Sequence, residues 1–218
     1  MSDFVYNVLQ PRKPVENPPI LFLIHGYGSD ENDLFSFADQ LNDRFLIVSL
    51  RAPLRLAWGG YAWYNIDFTE SASRFGNPEE ALISLNKLNT FIDEIVAKYS
   101  ADPKQVCLLG FSQGAILSYA LAMRNPLKFK SVLALSGYIF KEIMPYKIEP
   151  QQIENLEFFA SHGIQDEVIP IAWARNANVW LKSVGAKTQY HEYMMGHGIN
   201  PECFRDMLNW IKKRYPAL

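Results

Sequence analysis

Gln105–Arg124 reads QVCLLGFSQGAILSYALAMR, and its interpretation decides the fold. Gln105–Leu109 is an apolar run suited to a buried strand, and Gln113–Arg124 has the composition of a helix that ends near Asn125-Pro126. Between them lies Gly110-Phe111-Ser112-Gln113-Gly114, a G-x-S-x-G sequence in the strand–turn–helix context that gives this motif chemical meaning. The chain must reverse within a few residues, so Ser112 is expected in a strained, rarely visited backbone conformation, with glycines where side chains would collide with the adjoining strand and helix. Its hydroxyl would then project above a sheet at a helix N-terminus, and the Gln113 N–H would face any oxyanion forming there.

Outward from this turn, short apolar runs alternate with amphipathic segments. Ile20–His25 (ILFLIH), Phe45–Leu50, Ser131–Leu135, Leu156–Ser161 and Thr188–Tyr193 read as further strands, the first nearly continuous in apolar residues, as a strand covered on both faces requires. Helices are expected at Asp33–Leu41, from Asn77-Pro78 to about Tyr99, at Ile171–Ser183 and at Glu202–Tyr215, the second opening with proline in its first turn. Phe4–Leu9 alternates weakly, as an antiparallel edge strand would. Pro53–Phe75 is rich in Trp, Tyr, Gly and Arg without a period, and reads as a long functional loop. Strands alternating with helices call for a mostly parallel central sheet with helices on both faces. No linker divides the sequence, so residues 1–218 are expected to form a single domain.

Composition narrows the function classes. The 218 residues are 49% hydrophobic with a formal charge of −2, enough to bury one core. Acidic and basic residues are well mixed, so no stripe points to nucleic acid. No apolar run is long enough to span a bilayer, and the N-terminal stretch MSDFVYNVLQPRKP lacks the pattern of a secretory signal; a cytoplasmic protein without stable membrane insertion is the expectation. Cys107 and Cys203 show neither CxxC nor zinc spacing and read as reduced, buried thiols. A homodimer that partly covers the aromatic loop is compatible with the sequence.

A serine hydroxyl needs a general base, and in this motif class the order along the chain is serine, acid, histidine. His197, in Met195-Gly196-His197-Gly198, follows a strand and precedes the last helix, at the strand end where sites of open α/β sheets gather. His191 lies inside Thr188–Tyr193 and reads as a packing or solvated position. Asp166 and Glu167 are both candidates for the acid; Asp166 is favoured because it follows a turn and precedes Val168-Ile169-Pro170. Its competing role is an Asx-turn or helix cap. His162, before Gly163, reads as a shaper of the turn. His25-Gly26-Tyr27-Gly28-Ser29 follows the first apolar strand, where esterases place half of an oxyanion hole; the main-chain N–H groups of Tyr27 and Gln113 are the expected donors. Trp58, Tyr61, Trp63 and Tyr64 form either an apolar wall for an acyl chain or a small core beneath the loop. Trp63, Tyr64 and Met195 are the candidate pocket residues, with Met194 beside them.

Taken together, LFLIHGYGSDENDLFSFADQL, Arg51-Ala52-Pro53, Trp63-Tyr64, GFSQGA, HGIQDEVIP and MGHGI resemble the phospholipase/carboxylesterase family, which includes acyl-protein thioesterases and small bacterial carboxylesterases. The resemblance runs from about Ile20 to Trp210. It implies an α/β-hydrolase fold without a large cap domain, and it carries nucleophile, acid and base onto Ser112, Asp166 and His197. Two departures, Ser29 before Asp30 and Asn65 after the Trp-Tyr pair, fall in the substrate region and leave these three residues untouched. The implied activity is that of a serine carboxylesterase acting on a small-molecule acyl ester through an acyl-enzyme, with no metal or organic cofactor. The alternatives are an acyl-protein thioesterase or lysophospholipase-type hydrolase, a peptidase or carbon–carbon hydrolase, and a non-catalytic homologue that binds a ligand or partner.

Overall fold

The computed structural model describes residues 4–41, 43–67 and 76–215. Seven strands form the central sheet: β1 (Tyr6–Leu9), β2 (Ile20–Ile24), β3 (Leu46–Leu50), β6 (Val106–Phe111), β7 (Ser131–Leu135), β8 (Glu157–Gly163) and β9 (Lys187–Tyr193). They lie in the order β1-β3-β2-β6-β7-β8-β9, and a separate hairpin pairs β4 (Leu54–Arg55) with β5 (Tyr61–Ala62). Only β1 runs against its neighbour in the central sheet. Among the described residues the α-helices are α1 (Pro78–Lys98), α2 (Gln113–Arg124), the short α3 (Pro150–Ile153), α4 (Ile171–Ser183) and α5 (Pro201–Arg214).

The continuous apolar runs are explained by cover on both sides. Ile20, Phe22 and Ile24 pack into one core with Leu85, Leu88 and Ile92 of α1, Leu117 and Leu121 of α2 and Leu181 of α4. Leu21 and Leu23, pointing the other way, join Leu34, Ala38 and the α5 residues Met207, Trp210 and Ile211. This alternation is the period of two expected of a strand, here apolar on both faces. Helix starts follow the capping chemistry: the Asn77 side chain accepts from the N–H groups of Glu79 and Glu80 ahead of α1, and Asn200 accepts from Cys203 N ahead of α5.

Two local expectations need correction. Asp33–Leu41 is not an α-helix but a 3₁₀-helix over Leu34–Gln40 without a side-chain cap at Asp33. The Ser36 hydroxyl bonds the Asp33 carbonyl at 2.6 Å, competing with the backbone for an acceptor in so short a segment. Within Pro53–Phe75, the β4–β5 hairpin is ordered structure that the aperiodic sequence did not announce; positions 68–75 lie outside the described residues. No helix among the described residues is long and apolar enough to cross a membrane.

The parallel register aligns the chemistry. Ile24 stands opposite Gly110, Phe111 opposite Leu135, Leu135 opposite Ser161 and Gly163 opposite Tyr193. The loops after β2, β6, β8 and β9, carrying Tyr27, Ser112, Asp166 and His197, therefore leave one edge of the sheet, the edge where open α/β sheets bind ligands.

Candidate active site

Ser112 sits at the junction of β6 and α2 with φ +52° and ψ −116°, in the left-handed region that costs a non-glycine residue about 1–3 kcal/mol. The neighbouring strand restrains it: Ser112 N donates to Leu135 O at 2.9 Å, and Ile116 N donates to Ser112 O at 3.0 Å. Gly114 is demanded by proximity, because a Cβ there would overlap the main-chain oxygen of Ile24. Gln113 is the first residue of α2, so its N–H has no acceptor one turn earlier in the helix and stands at the positive end of the helix dipole.

His197 Nε2 lies 2.9 Å from Ser112 Oγ, and His197 Nδ1 lies 2.8 Å from Asp166 Oδ2. Ionised Asp166 is an acceptor only, so it fixes the tautomer: Nδ1 carries the proton and Nε2 presents a lone pair to the hydroxyl. The Asp166 carboxylate is fully buried, and the imidazole is 18% exposed. Asp166 Oδ1 accepts from the N–H groups of Val168 and Ile169 at 2.9 and 2.8 Å. The Asx-turn and the contact with His197 thus coexist, one on each carboxylate oxygen. Glu167, the other acid candidate, is exposed. Gly163 lets the acid loop meet the histidine loop, because a Cβ on it would overlap the main-chain oxygens of Gly196 and Met195.

A second imidazole meets the acid. His162 is fully buried, and its Nε2 lies 2.9 Å from Ile169 O and 3.2 Å from Asp166 Oδ2. Both neighbours are acceptors, which places the proton on Nε2. Burial holds the His162 pKa below its ordinary value, with the Ile169 carbonyl and Asp166 acting in the opposite direction. His162 therefore does more than shape the turn expected of it from sequence; its i,i+4 spacing to Asp166 is the one local signal of the contact with the acid.

Around the Tyr27 loop, Gly28 N donates to Tyr61 O and Tyr61 N to Ser29 O, at 2.9 and 2.8 Å. Arg51 grips Glu31 through Nε and a terminal nitrogen at 2.6 and 2.5 Å, and its guanidinium stands over the Tyr61 ring. His25 accepts the Ala52 N–H at Nε2, at 3.0 Å, so its Nδ1 carries the proton toward Gly26 O at 2.7 Å. Burial pulls the His25 pKa down, in keeping with this neutral form.

The assignments of Trp63, Tyr64 and Met195 to an open pocket need correction. Trp63 and Tyr64 are 0% and 1% exposed: the Trp63 indole N–H is satisfied by His25 O at 2.9 Å, and the Tyr64 ring packs on Phe140. They are core residues beneath the loop. Among the described residues of the loop, Trp58 is the exposed aromatic, and it pairs with the Tyr27 ring. Met195 turns inward against Tyr193 and Cys203 and accepts the Asn200 N–H at sulfur, leaving Met194 exposed. Beside His197 a cleft is lined by Gln165, Glu167, Val168 and Gly196; an aromatic cleft of about 240 Å³ lies among Tyr138, Phe140, Trp173 and Trp180. His191 stacks on Phe159, as a packing residue. Among the described residues, no group of three or more His, Cys, Asp or Glu side chains could hold a metal ion.

The model of the phospholipase/carboxylesterase family matches residues 5–215. Acyl-protein thioesterase 1 of Kluyveromyces lactis is 28% identical over 94% of this chain and 95% of its own length. Carboxylesterase SOBER1 of Arabidopsis thaliana is 24% identical over 70% of this chain and 68% of its own. Among solved structures, the Bacillus cereus carboxylesterase superposes with a TM-score of 0.82, covering 98% of this chain and 95% of that one at 19% identity. At that identity the likeness carries the fold, which is that of the α/β-hydrolases.

Proposed function

Since the chain belongs to the phospholipase/carboxylesterase family, we propose that it is a serine carboxylesterase that cleaves acyl esters through an acyl-enzyme, with Ser112 as nucleophile, His197 as general base and Asp166 as the orienting acid. The observation that supports this most is the unbroken path from the Ser112 hydroxyl through both ring nitrogens of His197 to a buried carboxylate, in steps of 2.9 and 2.8 Å.

In this reading His197 Nε2 takes the Ser112 proton as Oγ attacks the carbonyl carbon. The resulting oxyanion is held by the N–H groups of Tyr27 and Gln113, which stand to contribute roughly 10²–10³ in rate each. His197 returns the proton to the leaving alkoxide, and the acyl group stays on Ser112. Water enters, gives a proton to the same nitrogen and attacks; Ser112 leaves with that proton, and the carboxylic acid is released. Asp166 keeps the ring in the reactive tautomer and stabilises the imidazolium without itself taking a proton.

A second reading, thioester cleavage on acylated proteins, draws on the name of the Kluyveromyces lactis relative. A thioester carbonyl uses the same groups, so rates on short esters, long esters and an acyl-peptide thioester distinguish the two. The test of the chemistry itself is Ser112→Ala: turnover of a p-nitrophenyl acyl ester falls to background, fluorophosphonate labelling stops and the fold is kept. Retained turnover removes Ser112 from the mechanism.

A further inference from the structure

The Gln113 side chain makes a contact that its main-chain role does not require. Its Oε1 accepts the Trp63 N–H at 2.8 Å and its Nε2 donates to Tyr64 O at 2.7 Å. The carboxamide thus pairs with the loop backbone as one peptide group pairs with another, and the unlike partners fix which end is oxygen. From the same residue, the Trp63 indole N–H reaches His25 O at 2.9 Å, one peptide bond from Gly26 and two from Tyr27. The Ser84 hydroxyl holds the Trp63 carbonyl from α1. Gln113, Trp63, His25 and Ser84 are all at most 2% exposed.

We propose that the Gln113 carboxamide and the Trp63 indole form one buried clamp that sets the spacing of the two main-chain donors at Tyr27 and Gln113, making both side chains positioning residues for the oxyanion. The inference rests on the function proposed above and deepens it. The donors belong to loops that follow different strands, β2 and β6, and the hydrogen bonds of those strands end before either donor. An oxyanion needs donors within about 2.7–3.1 Å, and a shift of about 1 Å in a reacting geometry costs on the order of 10²-fold in rate. The clamp bridges that gap: α2 is tied to the loop at Trp63, and Trp63 to the β2 loop at His25. The path is buried, so a broken link leaves an N–H or C=O unpaired away from bulk solvent.

The test uses Gln113→Met, which keeps length and removes both hydrogen bonds, and Trp63→Phe, which keeps an aromatic ring and removes the bond to His25. Each is assayed for kcat and KM on a p-nitrophenyl acyl ester and for inhibition by a trifluoromethyl ketone, whose adduct carries an oxyanion. For Gln113→Met, kcat drops by roughly 30–100-fold, KM stays within about threefold, ketone affinity weakens in parallel with kcat/KM, and the acid limb of the pH–rate profile does not move. Trp63→Phe loses about tenfold, and the double variant loses less than the product of the two, as one clamp demands. A residue with a purely structural role lowers Tm but leaves kcat and ketone affinity per folded molecule unchanged; that result overturns the proposal. If Gln113→Met does not fold, Trp63→Phe decides by the same readouts. Wild-type protein that fails to label at Ser112 with a fluorophosphonate sinks the hydrolase reading instead, whereas labelling that proceeds while both variants retain full ketone affinity removes the clamp alone.

Discussion

Replacing Asp166 by Asn is the perturbation with the most to say about the candidate site, because the two side chains have the same shape and differ in what they can accept. Asp166 accepts three N–H groups, those of Val168 and Ile169 on Oδ1 and that of His197 Nδ1 on Oδ2, while His162 Nε2 stands 3.2 Å from Oδ2 with its hydrogen bond going to Ile169 O. An asparagine must put an NH₂ in one of these positions. At the Oδ1 position it meets two backbone N–H groups, which have no other tautomer. At the Oδ2 position it meets the His197 imidazole, which does. The amide nitrogen therefore settles toward His197, and the ring relieves the clash by moving its proton from Nδ1 to Nε2. The nitrogen facing Ser112 at 2.9 Å is then a donor and no longer takes a proton. The loss expected from this wrong-tautomer state is about 10⁴ in kcat, equivalent to about 5 kcal/mol at 1.36 kcal/mol per tenfold. Stability changes far less, by roughly 1–3 kcal/mol, because shape and most partners are kept. Steady-state kcat on a p-nitrophenyl acyl ester, beside a thermal melt and a parallel Glu167→Gln protein, gives the answer. Exposed Glu167 should be replaceable within about twofold. An Asp166→Asn enzyme within tenfold of wild type, or a larger loss from Glu167→Gln, refutes the assignment of the acid.

The remaining expectations concern the frame around the site. His25 and His162 both have pKa values held below 6.5 by burial. The unfolded chain thus binds more protons than the folded one as pH drops beneath that value, and their contribution, full above it, is lost on acidification. Urea unfolding should show stability falling between pH 6.5 and 5.5 with a slope of up to about 1.4 kcal/mol per pH unit for each histidine; stability that is flat or rises there contradicts the neutral assignments. Arg51→Met strands Glu31, which is 5% exposed, and should cost about 1 kcal/mol, a Tm decrease of about 2–4 °C, read by a melt in low salt and absent if the pair is inert. Gly163→Ala puts a methyl group against the main-chain oxygens of Gly196 and Met195. Pushing the histidine loop aside should lower kcat by at least about tenfold, and an unchanged kcat in folded protein shows that the two loops separate freely.

Much of the frame was legible because its signals are local. Ile20–Ile24, Leu46–Leu50 and Ser131–Leu135 are buried at every position, and a continuous apolar run of that length has few other uses. The turn at Ser112 was legible for a similar reason: Gly114 answers a steric demand that no other residue meets. The 3₁₀-helix at Leu34–Gln40 was not, since one serine hydroxyl competing for one carbonyl leaves the apolar period of the segment unchanged. The inward Trp63 was not legible either. An aromatic residue in a glycine-rich loop looks alike whether it lines a cleft or fills a core, and the acceptor that decides, His25 O, lies 38 residues away.

The same separation explains why the side chains behind the candidate site were harder to find than those in it. Ser112, Asp166 and His197 are each marked by a turn that chemistry requires, so their segments look unusual in isolation. Gln113, Trp63 and His162 act through atoms that any glutamine, tryptophan or histidine has. Their significance comes from partners: a peptide group 50 residues away for the Gln113 carboxamide, and a carboxylate already gripped by another imidazole for His162. Such contacts exist only after the parallel register has brought the loops following β2, β6, β8 and β9 to a common edge. The sheet is therefore more than a support. It converts residues with no local signature into members of a hydrogen-bonded frame, and a reduction in rate on removing one of them, with the fold intact, would measure how much of the chemistry that frame carries.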